Sequence, residues 1–100
     1  MKKLLLSLLF VYSSLLAEIQ LLEYDKALEL AKDENKIVMV MLGRSSCGVC
    51  GYMKTVVFQD KNVIKQLQAK FIPVYLEVDF DDIPKDFTYI GTPTFYFVDK

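Results

Sequence analysis

The apolar run at residues 37–42, IVMVML, constrains the fold of this chain more than any other stretch. The run has the length of a β-strand, and apolar and polar residues do not alternate along it. A strand with one face in water alternates, whereas a strand without polar positions is covered on both faces. Helices cover both faces of the sheet in α/β domains. The run therefore predicts a central strand with parallel pairing.

Helical and strand patterns alternate around this run. Asp25 is the predicted N-cap of a first helix, which ends at 33–35, and Asp60 is the predicted N-cap of a later one. Further strands are predicted at 71–79 and 94–98, where β-branched and aromatic residues concentrate. A turn at 81–84 is expected to open one helical turn that reaches Tyr89. This order predicts an α/β domain with parallel pairing at the centre of its sheet.

The first residues differ from the rest of the chain. A basic head, Met1-Lys2-Lys3, precedes a nearly continuous apolar stretch at 4–16, and Ala17 is a small residue before Glu18. This order is typical of a secretory signal peptide, and the stretch is shorter than the roughly 20 apolar residues that span a bilayer. We therefore predict a signal peptide at 1–17, a domain at 18–100 and a periplasmic location. An uncleaved membrane anchor is the alternative.

The charge balance excludes some partners. Cleavage after Ala17 would remove Lys2 and Lys3, so that 10 of the 12 basic residues remain against 13 acidic ones, a net charge of −3. The remaining sequence has no basic cluster. Nucleic acid and anionic membrane surfaces are therefore not expected as partners, and we expect a monomer.

The two cysteines, in the stretch SSCGVCGY, are three residues apart where a predicted helix begins. Positions i and i+3 share a helix face, so the sulfurs of Cys47 and Cys50 can bond. The free amides and the dipole of a first helical turn lower the pKa of a thiol such as Cys47. Gly48 leaves space at that sulfur, and Gly48-Val49 adds no charge. This pattern predicts an attacking thiol at Cys47 and a shielded, resolving thiol at Cys50.

Three interpretations of the cysteine pair remain open at this point. A structural bridge would close a very short loop, and short loops add least to stability. Zinc prefers four ligands, and the chain has two cysteines and no histidine. Cu(I) accepts two thiolates, with Met39, Met41 and Met53 as soft neighbours, although core methionines usually serve packing. Redox exchange, without a cofactor, is the interpretation that we favour.

Four segments in a fixed order make this chain resemble a family. The segments IVMVML, CGVC, VYLEVD and IGTPTFYFVD follow one another within residues 24–100. In this the chain resembles proteins with the thioredoxin fold, most closely the secreted, thioredoxin-related thiol:disulfide oxidoreductases. The resemblance implies a cis Thr92–Pro93 bond packed against the cysteine pair, with backbone that binds an extended substrate. The resemblance also implies a central mixed sheet flanked by helices, without the last strand and the C-terminal helix of the family.

The sequence also departs from the family. Ser46 stands where the family usually has tryptophan, and Met41 where many members bury an acidic residue. Glu77 is a candidate substitute for that acid, or else a solvated carboxylate at a strand edge. Arg44 and Lys54 are interpreted as surface charges.

The resemblance implies an enzyme that reduces or exchanges protein disulfides, with protein disulfides and dithiols as substrates. A membrane electron carrier is the expected partner that keeps the pair reduced. A Cu(I) carrier or a non-catalytic interaction module on the same fold is the alternative function.

Overall fold

Strand β1 (Ile37–Gly43) is the central strand of a three-stranded sheet with the order β2-β1-β3. The computed structural model describes residues 22–99. The other elements are α1 (Tyr24–Glu34), α2 (Gly48–Thr55), a 3₁₀ turn (Val57–Gln59), α3 (Lys61–Lys70), β2 (Phe71–Glu77) and β3 (Thr94–Val98). The predicted α/β class and its three strands are confirmed. The signal peptide predicted at 1–17 lies outside the described residues.

The pairing within the sheet is mixed, as the resemblance implies, and it includes the parallel pairing at the centre that the sequence pattern predicts. β1 runs parallel to β2, with Val40 opposite Val74, and antiparallel to β3, with Val40 opposite Tyr96. A parallel neighbour requires a crossover connection, which α2 and α3 supply between β1 and β2. Within residues 22–99, no strand or helix follows β3. None of the helices described there is long and apolar enough to cross a membrane.

Both faces of β1 are buried, which explains why its sequence does not alternate. Val38, Val40 and Leu42 point into a cluster closed by α1, which also contains Ile72 and Val74 from β2. The residues between them point to the opposite face. There Met39 and Met41 pack with Cys50 and Phe58, and α3 contributes partly buried apolar side chains. The strand therefore places the end of β1, and the cysteine loop that follows, between two packed layers.

The predicted helix ends are correct in two places and wrong in two. Asn35 ends α1 in the left-handed conformation, with φ 57°, and Asp60 caps α3. Asp25 is not an N-cap, because α1 begins at Tyr24 with Glu23 as its N-cap, so that Asp25 lies in the first turn. The helical turn expected to reach Tyr89 is also absent, since residues 81–93 contain no helical segment. Asp25 still carries negative charge where the helix dipole favours it.

Replacing Asp60 with alanine should destabilise the domain measurably. The Asp60 carboxylate accepts hydrogen bonds from the amides of Asn62 and Val63, at 2.9 and 3.1 Å, and so satisfies two free donors of α3. We expect Asp60→Ala to lower the free energy of unfolding by about 1 kcal/mol in urea denaturation. Asp60→Ser keeps an acceptor oxygen and should recover most of the loss. Equal stability of Asp60→Ala and wild type would contradict this role.

Candidate functional site

The cysteine pair lies where β1 leads into α2. Cys47 is the N-cap of α2, and its amide donates a hydrogen bond to the carbonyl oxygen of Arg44 at 3.0 Å. The amide of Cys50 donates to the Sγ atom of Cys47 at 3.1 Å. A sulfur at this position thus receives one of the free amides of the helix end, as predicted from the spacing. A hydrogen bond of this kind favours the thiolate form of a cysteine.

Cys47 and Cys50 form a disulfide, with their α-carbons 5.2 Å apart. The two residues differ in exposure, because Cys50 is 1% exposed whereas Cys47 is half-buried. A thiol must reach a substrate sulfur to attack it, and a resolving thiol needs only to reach its neighbour. The structure therefore distinguishes a partly exposed cysteine, Cys47, from a buried one, Cys50, in the order that the sequence predicts.

The loop before β3 faces the disulfide. The Thr92–Pro93 peptide bond is cis, the isomer expected from the resemblance. The Sγ atom of Cys47 lies 3.4 Å from the carbonyl oxygen of Thr92, although the two residues are 45 positions apart in sequence. The hydroxyl of Thr94 donates to the carbonyl oxygen of Gly91 at 2.6 Å, which closes the loop on itself. The backbone of this loop is thus held beside the accessible sulfur.

The residues between the cysteines leave the accessible sulfur uncovered. A β-carbon added at Gly48 would have no atom within 4 Å beyond its chain neighbours and the backbone of its own helix, so this side of the site is open. Val49 is 60% exposed and Tyr52, in the next turn of α2, is 58% exposed. Two exposed apolar side chains are therefore close to the pair in sequence, which suits contact with another polypeptide.

Glu77 is not the solvated carboxylate that one interpretation of the sequence expected. It is 8% exposed and is the one buried charged residue among residues 22–99. Its carboxylate accepts hydrogen bonds from the hydroxyls of Ser45 and, at 3.4 Å, Tyr75. Its own amide donates to the Asp81 carboxylate at 2.7 Å. Burial is tolerated because both carboxylate oxygens have partners.

Two residues of this arrangement were missed by sequence reasoning. Ser45 belongs to the cysteine stretch and Tyr75 to a predicted strand, and no local pattern marks either of them as part of the site. The register of the sheet places Gly43 opposite Glu77, so the residues just after β1 lie beside the end of β2. Strand length and composition do not specify this register, and the sequence therefore carried no signal for the pairing of Ser45 with Glu77.

The methionines considered as soft metal ligands lie on the buried side of the cysteine pair. Met39 and Met41 are core residues in the cluster that contains Cys50, and Met53 packs against its edge. They fill the space between β1 and α2, which is the packing role common for methionine. Groups of three or more His, Cys, Asp or Glu residues placed to hold a metal ion are not found within residues 22–99.

Comparison with known proteins agrees with this geometry. Residues 19–100 match the family described as thioredoxin-like. A solved thioredoxin from Thermus thermophilus superposes with a TM-score of 0.67 at 31% identity, over 80% of this chain and 64% of that one. An uncharacterized protein from Archaeoglobus fulgidus is 25% identical over 67 residues, which are 67% of this chain and 53% of that protein. This chain therefore spans about half the length of that curated relative.

The fold and the cysteine pair together define a class of protein. A mixed sheet with a Cys-x-x-Cys disulfide at the start of a helix is the arrangement of thiol oxidoreductases that exchange electrons between sulfur atoms. The chain belongs to the thioredoxin-like family.

Proposed function

We propose that this protein is a periplasmic thiol:disulfide oxidoreductase that acts on protein disulfides as a reductant or a mid-potential exchanger. One observation carries the proposal. The accessible sulfur of Cys47 receives the Cys50 amide at the start of α2 and lies 3.4 Å from the Thr92 carbonyl oxygen, whereas Cys50 is buried. This geometry supports an attacking thiolate beside backbone that an extended substrate chain can pair with.

The proposed reaction has two exchange steps. The Cys47 thiolate attacks one sulfur of a substrate disulfide, which forms a mixed disulfide and releases the other substrate sulfur as a thiolate. The Cys50 thiol then gives up its proton, which the released substrate thiolate takes up, and attacks Sγ of Cys47. The mixed disulfide breaks, the second substrate sulfur leaves and takes up a proton, and Cys47–Cys50 is oxidised. The substrate gains two electrons, and the protein loses two.

The direction of the reaction follows from how stable the Cys47 thiolate is. Strong oxidants hold a very stable thiolate in their reduced form. Here Gly48 and Val49 add neither charge nor a side-chain donor between the cysteines. We therefore expect a reduction potential clearly below about −120 mV, the value of the strongest periplasmic oxidants.

Location and electron donor complete the proposal. The N-terminal pattern of a basic head, an apolar stretch and a small residue supports export, with membrane anchoring as the alternative. In an oxidising compartment a reductant has to be reduced again by another protein. We propose a membrane electron carrier for this role and protein disulfides as substrates.

Insulin reduction by dithiothreitol tests the function. The chain without residues 1–17, which begins at the proposed cleavage site, should shorten the lag before insulin precipitates. Equilibration with glutathione should give a potential well below about −120 mV. A chain that binds Cu(I) tightly through Cys47 and Cys50 and leaves the insulin lag unchanged would contradict the proposal and select the copper carrier. A chain that does neither would select the interaction module.

A further inference from the structure

We infer that Ser45 and Glu77 are positioning residues for Cys47, which hold the loop before the cysteine in place for the exchange reaction. The hydrogen bonds found for these two side chains do not involve the sulfur atoms of Cys47 and Cys50, so their effect on the reaction is indirect. The inference rests on the proposed function only where it refers to substrate disulfides. The effect on the cysteine pair itself can be measured without a substrate protein.

The first connection is a hydrogen bond from the loop to a buried carboxylate. Ser45 lies two residues before Cys47, and its hydroxyl donates to Oε1 of Glu77, at the last position of β2. Glu77 is 8% exposed, so this carboxylate has lost most of its contact with water. A buried carboxylate that loses a partner carries an unfavourable desolvation cost. The Glu77 carboxylate has little water to replace the Ser45 hydroxyl, so this hydrogen bond holds the loop in place.

The carboxylate itself is held by its surroundings. The Tyr75 hydroxyl lies 3.4 Å from Oε2 of Glu77, and the ring of Tyr75 passes over Gly43. A β-carbon at position 43 would lie 2.5 Å from that ring, so only glycine leaves the ring this space. Nζ of Lys54, on α2, lies 3.4 Å from the centre of the same ring. Tyr75 thus connects the end of β2 both to Glu77 and to the helix that carries Cys50.

A second connection runs beside the first. Nε of Arg44 donates to Oδ1 of Asp79 at 3.2 Å, and both side chains are partly exposed, so this ion pair contributes little by itself. The amide of Val78 donates to the carbonyl oxygen of Gly43 at 2.9 Å. Arg44 also accepts the Cys47 amide through its carbonyl oxygen. The segment from the end of β1 into the cysteine loop is therefore attached at residues 43–45 to residues 77–79, at the end of β2 and just after it.

We expect this attachment to affect the equilibrium between the dithiol and the disulfide of the cysteine pair, because it limits the conformational freedom of the loop. Cys47 must stay close both to Cys50 and to the Thr92 carbonyl, which belongs to a distant part of the sequence. With the loop held, its order is the same in the dithiol and disulfide forms. Without the Ser45 hydrogen bond, the dithiol loop gains freedom that disulfide formation must remove again. Loss of the hydroxyl should therefore disfavour the disulfide and slow the attack by Cys47.

The test compares variants of Ser45 in the chain without residues 1–17. We expect Ser45→Ala to lower the equilibrium constant for forming the Cys47–Cys50 disulfide from the dithiol, measured against glutathione, by about fivefold. The rate at which reduced protein attacks a small aromatic disulfide should fall by a similar factor. Ser45→Thr keeps the hydroxyl and should restore both quantities. Glu77→Gln keeps an acceptor oxygen without charge and should give a smaller change in the same direction.

Ser46→Ala is the matched control, because Ser46 is the adjacent serine and makes no side-chain hydrogen bond within the described residues. It should leave both quantities unchanged. If Ser45→Ala lowers only the thermal midpoint, with the glutathione equilibrium and attack rate of wild type, the residue is merely structural and the inference is overturned. If the equilibrium shifts as expected but wild type does not reduce insulin, the positioning role stands and the proposed function fails.

Discussion

Cys47→Ser is expected to reduce the acceleration of insulin reduction to the uncatalysed background. A serine hydroxyl cannot form the mixed disulfide, because thiol–disulfide exchange requires a sulfur nucleophile. The hydroxyl would occupy the same place at the start of α2, where the Cys50 amide points at 3.1 Å. The substitution therefore removes the chemistry and retains a residue type that caps helices well. Turbidity of insulin in the presence of dithiothreitol measures the effect.

Cys50→Ser is the matched variant, since it removes the other sulfur of the same pair. It should still attack, because Cys47 is the accessible residue, but it lacks the thiol that resolves the mixed disulfide. A covalent complex with a substrate protein should accumulate and disappear when dithiothreitol is added. The reverse assignment, with complexes trapped by Cys47→Ser and not by Cys50→Ser, would show that Cys50 attacks first. In that case the proposed mechanism would be wrong.

The sequence predicted the layers of this fold because they depend on local patterns. A strand buried on both faces needs apolar residues at every position, and residues 37–42 supply them. The capping role of Asp60 depends on amides only two and three residues away. The error at Asp25 has the same origin, because several residues near a helix start can satisfy the same pattern and local sequence does not choose between them.

The site could be predicted from the sequence only where its residues are close together in the chain. The Cys47–Cys50 spacing and the helix that follows are contained in one short stretch of sequence. The prediction that Thr92 lies close to Cys47 came from a family resemblance, because no local pattern relates residues 45 positions apart. The burial of Glu77 could not be predicted in this way, since it depends on the register of β2 against β1 and on the position of Tyr75. Long-range register is where sequence patterns carry least information.

Leu42→Ala is expected to produce the largest loss of stability among the variants considered. Leu42 is fully buried in the central strand, in the cluster between the sheet and α1. Removing its branched end would leave a cavity that strands on both sides prevent from closing, because β1 is paired with β2 and with β3. Substitutions of this kind cost about 2 to 5 kcal/mol. Natural domains have net stabilities of only about 5 to 15 kcal/mol, so a domain this small would be close to unfolding.

Urea denaturation of the oxidised protein, followed by circular dichroism, measures this loss as a lower midpoint. Leu42→Met is the matched control at the same position, since it nearly conserves apolar volume and should cost less than about 1.5 kcal/mol. Leu42 directly precedes Gly43, from which the cysteine loop begins, so a cavity here would also loosen the attachment of that loop to β2. A small loss for Leu42→Ala, equal to that for Leu42→Met, would mean that α1 moves in to fill the space. The sheet and α1 would then not form the rigid layer on which the geometry of the cysteine pair depends.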